Sequence, residues 1–283
     1  MISRLKPSAE SFTAVVDSEN SSPHLISQVL HQSGSRSAHI NFLITNDSQD
    51  EKDAPALWDF LCYKAGEMGA VNVLAGLEES ATLFETLRKA GFNVYGWETV
   101  WKFPKQLDKD VCSKDNWVLS TPTDEIAIRT LHQSLVPPLV QAAETFSNGG
   151  TPRLIYRIEN EIVAYVESCN GPEGLYLKPV IHPSVGDITA LLKDLASNFS
   201  DLGLPVYFQV RSYQAWLLDA LQAVGGESCN RFTLLVKHLA IMQRNGVTII
   251  NRKRVESRQT EPTTPMVNTI IDAEHSAQVV KQS

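Results

Sequence analysis

Residues 69–102 read GAVNVLAGLEESATLFETLRKAGFNVYGWETVWK, and their pattern is the strongest indication of the fold. It opens with an apolar run typical of a buried strand. An amphipathic stretch follows in which Leu83 and Leu87 lie one helical turn apart, and Gly91 ends it. The remaining residues alternate between apolar and polar, as in a strand with one buried face. The segment therefore predicts a β-α-β unit.

The same pattern occurs again in residues 203–236, which read GLPVYFQVRSYQAWLLDALQAVGGESCNRFTLLV. Leu217, Leu221 and Gly225 take the places of the two leucines and the glycine, at a constant offset along the sequence. The offset continues upstream without a gap, where it pairs Leu57 with Leu191, Leu61 with Leu195, Gly69 with Gly203, and the strand around Phe42 with that around Tyr176. A gapless register with matched glycines is rare by chance. It predicts an internal duplication of a β-α-β-α-β block.

Further elements are predicted ahead of the second block. Residues 124–146 have helical periodicity interrupted at Pro137-Pro138, which indicates two short helices. Residues 153–158 and 162–167 alternate like the strands of a hairpin with a turn at 159–161, and residues 174–181 read as another strand. The second unit is therefore predicted as helices, three strands, helix, strand, helix and strand.

The front of the chain predicts less. Residues 12–16 read as a strand and residues 24–32 as a helix, so the first copy is expected to be shortened at its front. Residues 104–117 are polar and charged and are predicted to be the linker. The predicted organisation is a partial domain at 1–107, a more complete domain at 118–243 and a flexible polar tail at 244–283.

Composition limits the classes of function. The 283 residues are 43% hydrophobic and 20% charged, as in a folded soluble protein, and the net charge of −7 favours neither nucleic acid nor an anionic membrane as a partner. The Arg252-Lys253-Arg254 run could contact phosphates, but a solvated segment is the favoured interpretation. The four cysteines lack zinc-ligand spacing, so no metal is predicted. Without a signal peptide or an apolar run long enough to span a bilayer, the expected location is the cytoplasm.

The order of elements in residues 120–240 resembles a GNAT (acyl-CoA N-acyltransferase) domain. In that superfamily a glycine-rich turn leads from the fourth strand into a helix with a Leu-Leu pair, and Gly186 and Leu191-Leu192 match this pattern. The resemblance implies an α/β (α+β) fold of two tandem GNAT-like domains, the first shortened. It also implies acetyl-CoA as cofactor, held at the helix start by Ile181, Val185, Gly186 and Asp187.

The sequence departs from the superfamily pattern in several places. Pro183 and Ile188 replace a basic or amide residue and the second glycine, and Asp187 adds a negative charge, although it can also N-cap the helix. The loop of the first copy, at residues 50–55, has no glycine. Leu87 and Leu221 stand where the superfamily commonly has a tyrosine that protonates the leaving thiolate. These differences indicate a degenerate active site.

Two residues remain as catalytic candidates. Tyr213 follows the presumed fifth strand and can serve as the acid, although packing against its neighbours is the commoner role. Glu79 lies at the same point of the first copy and can deprotonate an amine, but acids in the first turn of a helix also simply favour its dipole. His182 is a weaker candidate base. Arg211 could meet a carboxylate or a phosphate, although a surface arginine without a ligand is the favoured interpretation.

Two functions follow from these residues. The first is an acyl-CoA-dependent N-acetyltransferase that acts on an amine of a small molecule or a peptide. The alternative is a non-catalytic GNAT-like protein that binds another ligand or serves as a scaffold, with a homo-oligomer as one form of assembly. The superfamily resemblance favours the first, and the lost glycine and tyrosine motivate the second.

Overall fold

A computed structural model describes residues 9–17, 23–45, 53–79, 83–103, 116–144, 146, 153–171, 173–199 and 203–239. The strands are β1 (Ala9–Asp17), β2 (Pro23–Gln32), β3 (Ser37–Thr45), β4 (Asn72–Glu78), β5 (Asn93–Lys102), β6 (Trp117–Leu119), β7 (Arg153–Ile158), β8 (Glu161–Gly171), β9 (Gly174–Ile181), β10 (Val206–Arg211) and β11 (Glu227–His238). The helices are α1 (Ala54–Glu67), α2 (Phe84–Lys89), α3 (Glu125–Leu135), α4 (Pro138–Ala143), α5 (Ile188–Ser197) and α6 (Leu218–Ala223), with 3-10 turns at Pro122–Asp124 and Ser212–Leu217. No helix among these residues is long and apolar enough to cross a membrane.

The predicted duplication is visible in the element boundaries. Helix α1 begins at Ala54 and helix α5 at Ile188, which are partners at the offset of the sequence repeat. The same offset separates the starts of β4 and β10, of α2 and α6, and of β5 and β11. The paired glycines share a conformation that L-residues avoid, since φ is +86° at both Gly91 and Gly225. Each glycine ends its helix and turns the chain into the last strand of its copy.

All eleven strands form one sheet, in the order β1-β2-β3-β4-β11-β5-β10-β9-β8-β7-β6. The final strands are exchanged between the copies. Strand β11, from the second copy, lies between β4 and β5 and pairs antiparallel with both, and β5, from the first copy, pairs antiparallel with β10. The sheet is therefore continuous across the two halves.

The hydrophobic cores follow the same exchange. Helices α1 and α2 cover one face of the first half, and Leu235 of β11 is fully buried in that core. In the second half α5 and α6 cover the sheet, and Phe103, from the first copy, is buried there with its ring centroid 5.0 Å from that of Phe208. The core of each half therefore contains apolar side chains from the other copy of the sequence. Their burial stabilises the exchanged arrangement.

On the opposite face, α3 and α4 cover the second half and the central strands. Helix α3 packs Ile128 and Leu131 on the second half, and Val136, which follows α3, packs on the central strands with Val140 and Ala143 of α4. The Thr121 capping box precedes α3, as the Thr121 hydroxyl and backbone N–H both bond Asp124. Two separate helices interrupted at the prolines, as predicted, are confirmed.

Two expectations for the first half and the linker are wrong. Residues 24–32 belong to strand β2, not to a helix, because Leu25, Ser27, Val29 and His31 are buried at alternate positions. The first half therefore has three strands in front of α1, whereas the second half has four, β6 to β9, in front of α5. Trp117, expected in the linker, begins strand β6 and is buried in the second core. The rest of the predicted linker up to residue 115, and the tail at 244–283, lie outside the described residues.

Candidate functional site

Strands β9 and β10 part at the centre of the second half. They pair in parallel from Leu175–Val206 to Leu177–Phe208, and beyond that point no pairing joins them. Strand β9 continues to Ile181 and β10 to Arg211. A cleft therefore opens between the carboxyl ends of two parallel strands, a position where α/β sheets bind ligands.

Gln214 bridges the parted strands. Its side chain is buried, its Nε2 donates to the backbone oxygen of Pro179 at 2.9 Å, and its Oε1 accepts from the N–H of Ile181 at 3.3 Å. Both groups belong to the edge of β9 that faces the cleft. Gln214 thus satisfies backbone groups that the missing strand pairing would otherwise leave unbonded.

The segment after β9 leads into helix α5. Val185 is buried and its N–H donates to the His182 oxygen at 3.2 Å, so this predicted cofactor residue bonds within the loop. Gly186 is exposed, and a Cβ added to it would meet nothing within 4 Å. Asp187 caps α5, as predicted from sequence, because its carboxylate accepts the N–H of Ala190 at 2.9 Å.

A cluster of charged side chains lies beside the cleft. Arg211 Nε is 3.1 Å from a carboxylate oxygen of Glu98, and its Nη2 is 2.8 Å from one of Glu144. The Tyr95 hydroxyl donates to Glu144 as well. Tyr95, Glu98, Glu144 and Arg211 are called the central polar cluster below. For Arg211, the favoured surface position without a ligand is wrong and the alternative contact with a carboxylate is confirmed, because two buried or half-buried carboxylates hold it.

The environment fixes the protonation states of this region. Burial raises the pKa of the Glu144 carboxyl, but the charge of Arg211 and the Tyr95 hydrogen bond outweigh burial, so the net pKa is lowered. Burial and the repulsion of Glu144 raise the pKa of Tyr95. Burial also raises the pKa of Tyr213, to about 12. At neutral pH the carboxylate of Glu144 is therefore ionised and the Tyr213 phenol keeps its proton.

The structure does not bring the two catalytic candidates together. Tyr213 is half-buried in the turn after β10, and it packs against the core under α4. Glu79 follows β4, is exposed, and lies 3.7 Å from Arg231. Strands β11 and β5 lie between β4 and β10, so two strands separate Glu79 from Tyr213 in the sheet order. His182 faces Ser184, with Nδ1 2.6 Å from the hydroxyl.

The first half has a second parting of strands. Strands β3 and β4 pair in parallel only from Ser37–Asn72 to His39–Leu74, and β3 has an extra residue at Asn41, where the β2–β3 register shifts. The residues between β3 and Asp53 lie outside the described part of the chain. Leu87 and Leu221, at the positions of the superfamily tyrosine, are both buried in hydrophobic cores.

The sequence did not point to Gln214, Glu98, Glu144 or Tyr95. One usable signal was the polar run Arg211-Ser212-Tyr213-Gln214 directly after a buried strand, where a polar residue can reach the neighbouring strand end. The partners of Arg211 come from β5 and from the end of α4, which no local pattern connects. No group of three histidine, cysteine or acidic side chains within the described ranges is placed to hold a metal ion.

Comparisons with known proteins find similarity in structure alone. No protein-family model matches the sequence, and no curated protein does. A GCN5-related N-acetyltransferase from Sphaerobacter thermophilus is 13% identical and superposes with a TM-score of 0.50, over 80% of each chain. A functionally unknown conserved protein from Staphylococcus epidermidis is 10% identical with a TM-score of 0.51, over 72% of this chain and 85% of that one.

A tandem GNAT protein from the clavulanic acid biosynthesis pathway is 14% identical with a TM-score of 0.48, over 82% and 84% of the two chains. These likenesses concern the fold. The repeated order of strands and helices shows on its own that the fold occurs twice in this chain. The chain therefore has the GNAT fold of the GCN5-related N-acetyltransferases, in two tandem copies that share one sheet.

Proposed function

We propose that the protein is an acyl-CoA-dependent N-acetyltransferase whose second-half cleft, between β9 and β10, binds the cofactor and presents it to an amine of a small molecule or a peptide. The observation that carries the proposal is the parting of these two strands beyond Leu177–Phe208, next to the start of α5. A helix start offers backbone N–H groups and a positive dipole to an anionic ligand.

The residues at this helix start fit the phosphates of acetyl-CoA. The open space around Gly186 lets a ligand approach the backbone, and the first N–H groups of α5 point out of the helix. The negative charge of Asp187 would repel the phosphates, but its carboxylate accepts a hydrogen bond from the N–H of Ala190 in its own helix. When bound, acetyl-CoA would supply the activated thioester, and Ile181, Val185, Gly186 and Asp187 would surround it.

Two side chains beside the cleft can act on the reacting groups. Tyr213 is protonated at neutral pH, and its hydroxyl is the candidate general acid, although the raised pKa of about 12 makes it a weaker acid than an exposed tyrosine. Glu144 stays ionised and attracts a protonated amine. Glu79 belongs to the first half and stays a candidate base for a reaction in that half only.

The proposal is tested by thermal unfolding with acetyl-CoA and with free CoA, since a ligand that binds only the native state raises its stability. We expect saturable stabilisation that is lost in Gly186→Trp, because the indole fills the open approach to the helix start. The matched control is Gln222→Trp, at an exposed position on α6. No stabilisation at millimolar cofactor, or equal loss in both variants, contradicts the proposal.

One observation favours the alternative of a non-catalytic protein. Gln214 already bonds Pro179 and Ile181, so these backbone groups on the cleft edge of β9 are not available to a ligand. If the cleft is closed in this way, wild-type protein binds no acetyl-CoA and acetylates no amine, and Gln214→Ala gains neither property. If Gln214→Ala gains cofactor binding that the wild type lacks, the side chain is a removable obstruction rather than a sign of a different function.

A further inference from the structure

The parted ends of β9 and β10 carry polar side chains on the face of the sheet that α3 and α4 cover. Successive side chains of a strand point to opposite faces, and Phe208 belongs to the core under α5 and α6. Gln209 and Arg211 therefore point to the other face. Lys178 of β9 points there as well, because Leu177 belongs to the same core as Phe208. All three polar residues follow the last pair of the two strands, which is Leu177 with Phe208.

These residues lie between the two hydrophobic clusters on this face. The cluster under α3 takes its strand residues from β7, β8 and β9, and the cluster under α4 takes its strand residues from β4, β5 and β11. Strand β10 lies between β5 and β9 and contributes to neither cluster. Lys178 is exposed, so solvent reaches this strip of the sheet. We call Lys178, Gln209 and Arg211, with Glu144 at the end of α4, the fork site.

Two buried polar atoms of the fork site have no hydrogen-bond partner among the described residues. They are Nη1 of Arg211, which is a cationic donor, and Oε1 of Gln209, which is an acceptor. The rest of the guanidinium is engaged, since its Nε contacts Glu98 and its Nη2 contacts Glu144. A buried donor or acceptor without a partner costs free energy, and the cost is larger for a charged group. The two atoms therefore fit a ligand that presents an acceptor to Arg211 and a donor to Gln209.

The charges at the fork site favour a ligand that carries both signs. Lys178 is close enough to Glu144 for its charge to help lower the pKa of that carboxyl. The Glu144 side chain is 31% exposed, so a ligand can reach its carboxylate beside the cations Lys178 and Arg211. On the neighbouring strand Glu167 is held by Arg153 at 2.9 Å. Complementary charge therefore suits a zwitterion better than a simple anion or cation.

From the two unpaired atoms and the two signs of charge around them, we infer that the fork site binds an α-amino acid as the acceptor amine, an identification that rests on the proposed function. The carboxylate of the amino acid accepts from Arg211 Nη1 and is attracted by Lys178. Its ammonium group donates to Gln209 Oε1 and is attracted by Glu144. Gln209 and Arg211 are two residues apart on one strand, about 7 Å, so one small ligand reaches both side chains.

An amine bound in this way lies near the candidate acid. The charges of Arg211 and Glu144 both act on Tyr213, which follows β10 directly. In the transfer, the amine nitrogen bonds to the acetyl carbon as the carbon–sulfur bond of the thioester breaks, and the sulfur takes the proton of Tyr213. Of the two protons that the ammonium group loses, one restores Tyr213 and the other leaves to solvent. The products are an N-acetylated amino acid and CoA.

The test is a calorimetric titration of the full-length protein with each of the standard L-amino acids, with and without saturating CoA. We expect at least one amino acid to bind. Two analogues of that amino acid are then titrated, one without the carboxylate and one without the amine. Each analogue should bind at least tenfold more weakly, because it leaves one of the two buried atoms without a partner.

Gln209→Met is the decisive variant, because it keeps the length of the side chain and removes the unpaired oxygen. It should weaken binding of the amino acid at least tenfold at an unchanged melting temperature, since that oxygen bonds nothing else in the described part of the chain. Gln222→Met, at an exposed position on α6, is the matched control and should bind as the wild type does. Lys178→Met should also weaken binding, and Lys89→Met, exposed on α2, is its control.

Three outcomes overturn the inference. The first is that no amino acid binds at millimolar concentration, which assigns the two buried atoms to bound water. The second is that an analogue lacking either charged group binds as tightly as the amino acid. The third is that Gln209→Met, or Lys178→Met if the first variant does not fold, binds the amino acid as tightly as the wild type, which places the ligand elsewhere.

Failure of the proposed function gives a different result from failure of this inference. Binding of an amino acid at the fork site without any binding of acetyl-CoA contradicts the acetyltransferase and leaves the amino-acid site standing. Stabilisation by acetyl-CoA without binding of any amino acid contradicts the amino-acid site alone.

Discussion

Glu98 and Phe232 occupy the same position in the two copies of the repeat, and they face each other as partners in the antiparallel pair of β5 and β11. A residue that pairs with its own repeat mate lies on a local twofold axis. The axis therefore runs through the centre of the sheet, between β5 and β11, and each of these strands also pairs with a strand of the other copy. On the flanking strands Glu78 pairs with Phe232 and Arg211 with Glu98, so one row of residues crosses the axis.

We predict that the two copies unfold together. Leu235 of β11 is fully buried in the core of the first half, so Leu235→Ala should destabilise that half by about 2–5 kcal/mol although it lies in the second copy. In chemical denaturation, probes in either half should report one shared transition, displaced to lower denaturant. Amide exchange should accelerate in β4 as well as in β11.

Leu221→Ala is the matched control for this prediction, since Leu221 is fully buried in the core of the second half. It should displace the same transition. Two separated transitions, with each variant moving only one of them, would show that the copies fold as independent domains.

We predict that Arg211→Met destabilises the protein by about 3–5 kcal/mol at pH 7, because it leaves the carboxylates of Glu98 and Glu144 without their cation. The pKa of Glu144 is lowered in the folded state. Its contribution is therefore complete above the ordinary glutamate pKa of about 4.3 and is lost as the pH falls through the folded-state value. The difference between variant and wild type should accordingly shrink below about pH 4.

Arg231→Met is the control for the cluster. Arg231 is exposed, and its contact with Glu79 is 3.7 Å long, so its loss should change stability by less than about 0.5 kcal/mol. Equal effects of the two substitutions, measured by urea denaturation, would disprove a special role for the central polar cluster.

We predict that Asp187→Asn strengthens the binding of CoA severalfold without changing stability. Asparagine caps a helix as well as aspartate, but it removes the negative charge beside the expected phosphates. Asp187→Ala should cost about 1 kcal/mol in urea denaturation because the bond to Ala190 is lost. Calorimetric titration measures the affinity. An unchanged or weaker affinity in Asp187→Asn would place the phosphates elsewhere.

We predict that Tyr213→Phe lowers kcat by about 10²-fold or more with little change in KM, if acetyl transfer occurs in the second-half cleft. The reason is that the Tyr213 phenol is protonated at neutral pH and lies in the turn that directly follows β10. Steady-state rates with acetyl-CoA and an amine identified by screening provide the measurement. Tyr63→Phe, at an exposed position on α1, should retain the wild-type rate. A full rate in Tyr213→Phe assigns the acid to another group.

Local pattern predicted the repeated elements well, because periodicity and glycine stops are properties of neighbouring residues. The same reasoning failed at β2, where polar Ser27 and His31 lie on the buried face. Their polar atoms are satisfied by backbone oxygens of Phe42 and Ser35, which a linear pattern does not show. The leucines and valines of residues 24–32 then fit helical spacing as well as alternation.

The exchange of β5 and β11 could not be predicted. Each strand follows the glycine that ends the last helix of its own copy, so position along the sequence does not show which sheet neighbours it takes. The central polar cluster was missed for a related reason, since Arg211 and Glu144 are 67 residues apart and Glu98 comes from a strand of the other copy. The N-cap role of Asp187 depends on its own turn alone and was predicted correctly.

Because the last strands are exchanged, neither copy of the fold can be deleted without damage to the sheet of the other. Deleting either copy would strip β4 or β10 of its antiparallel neighbour and leave the surviving copy with a strand that has no sheet to join. Substitutions in one cleft carry no such cost. The first copy is therefore needed to complete the sheet beside β10, whatever ligand its own cleft binds.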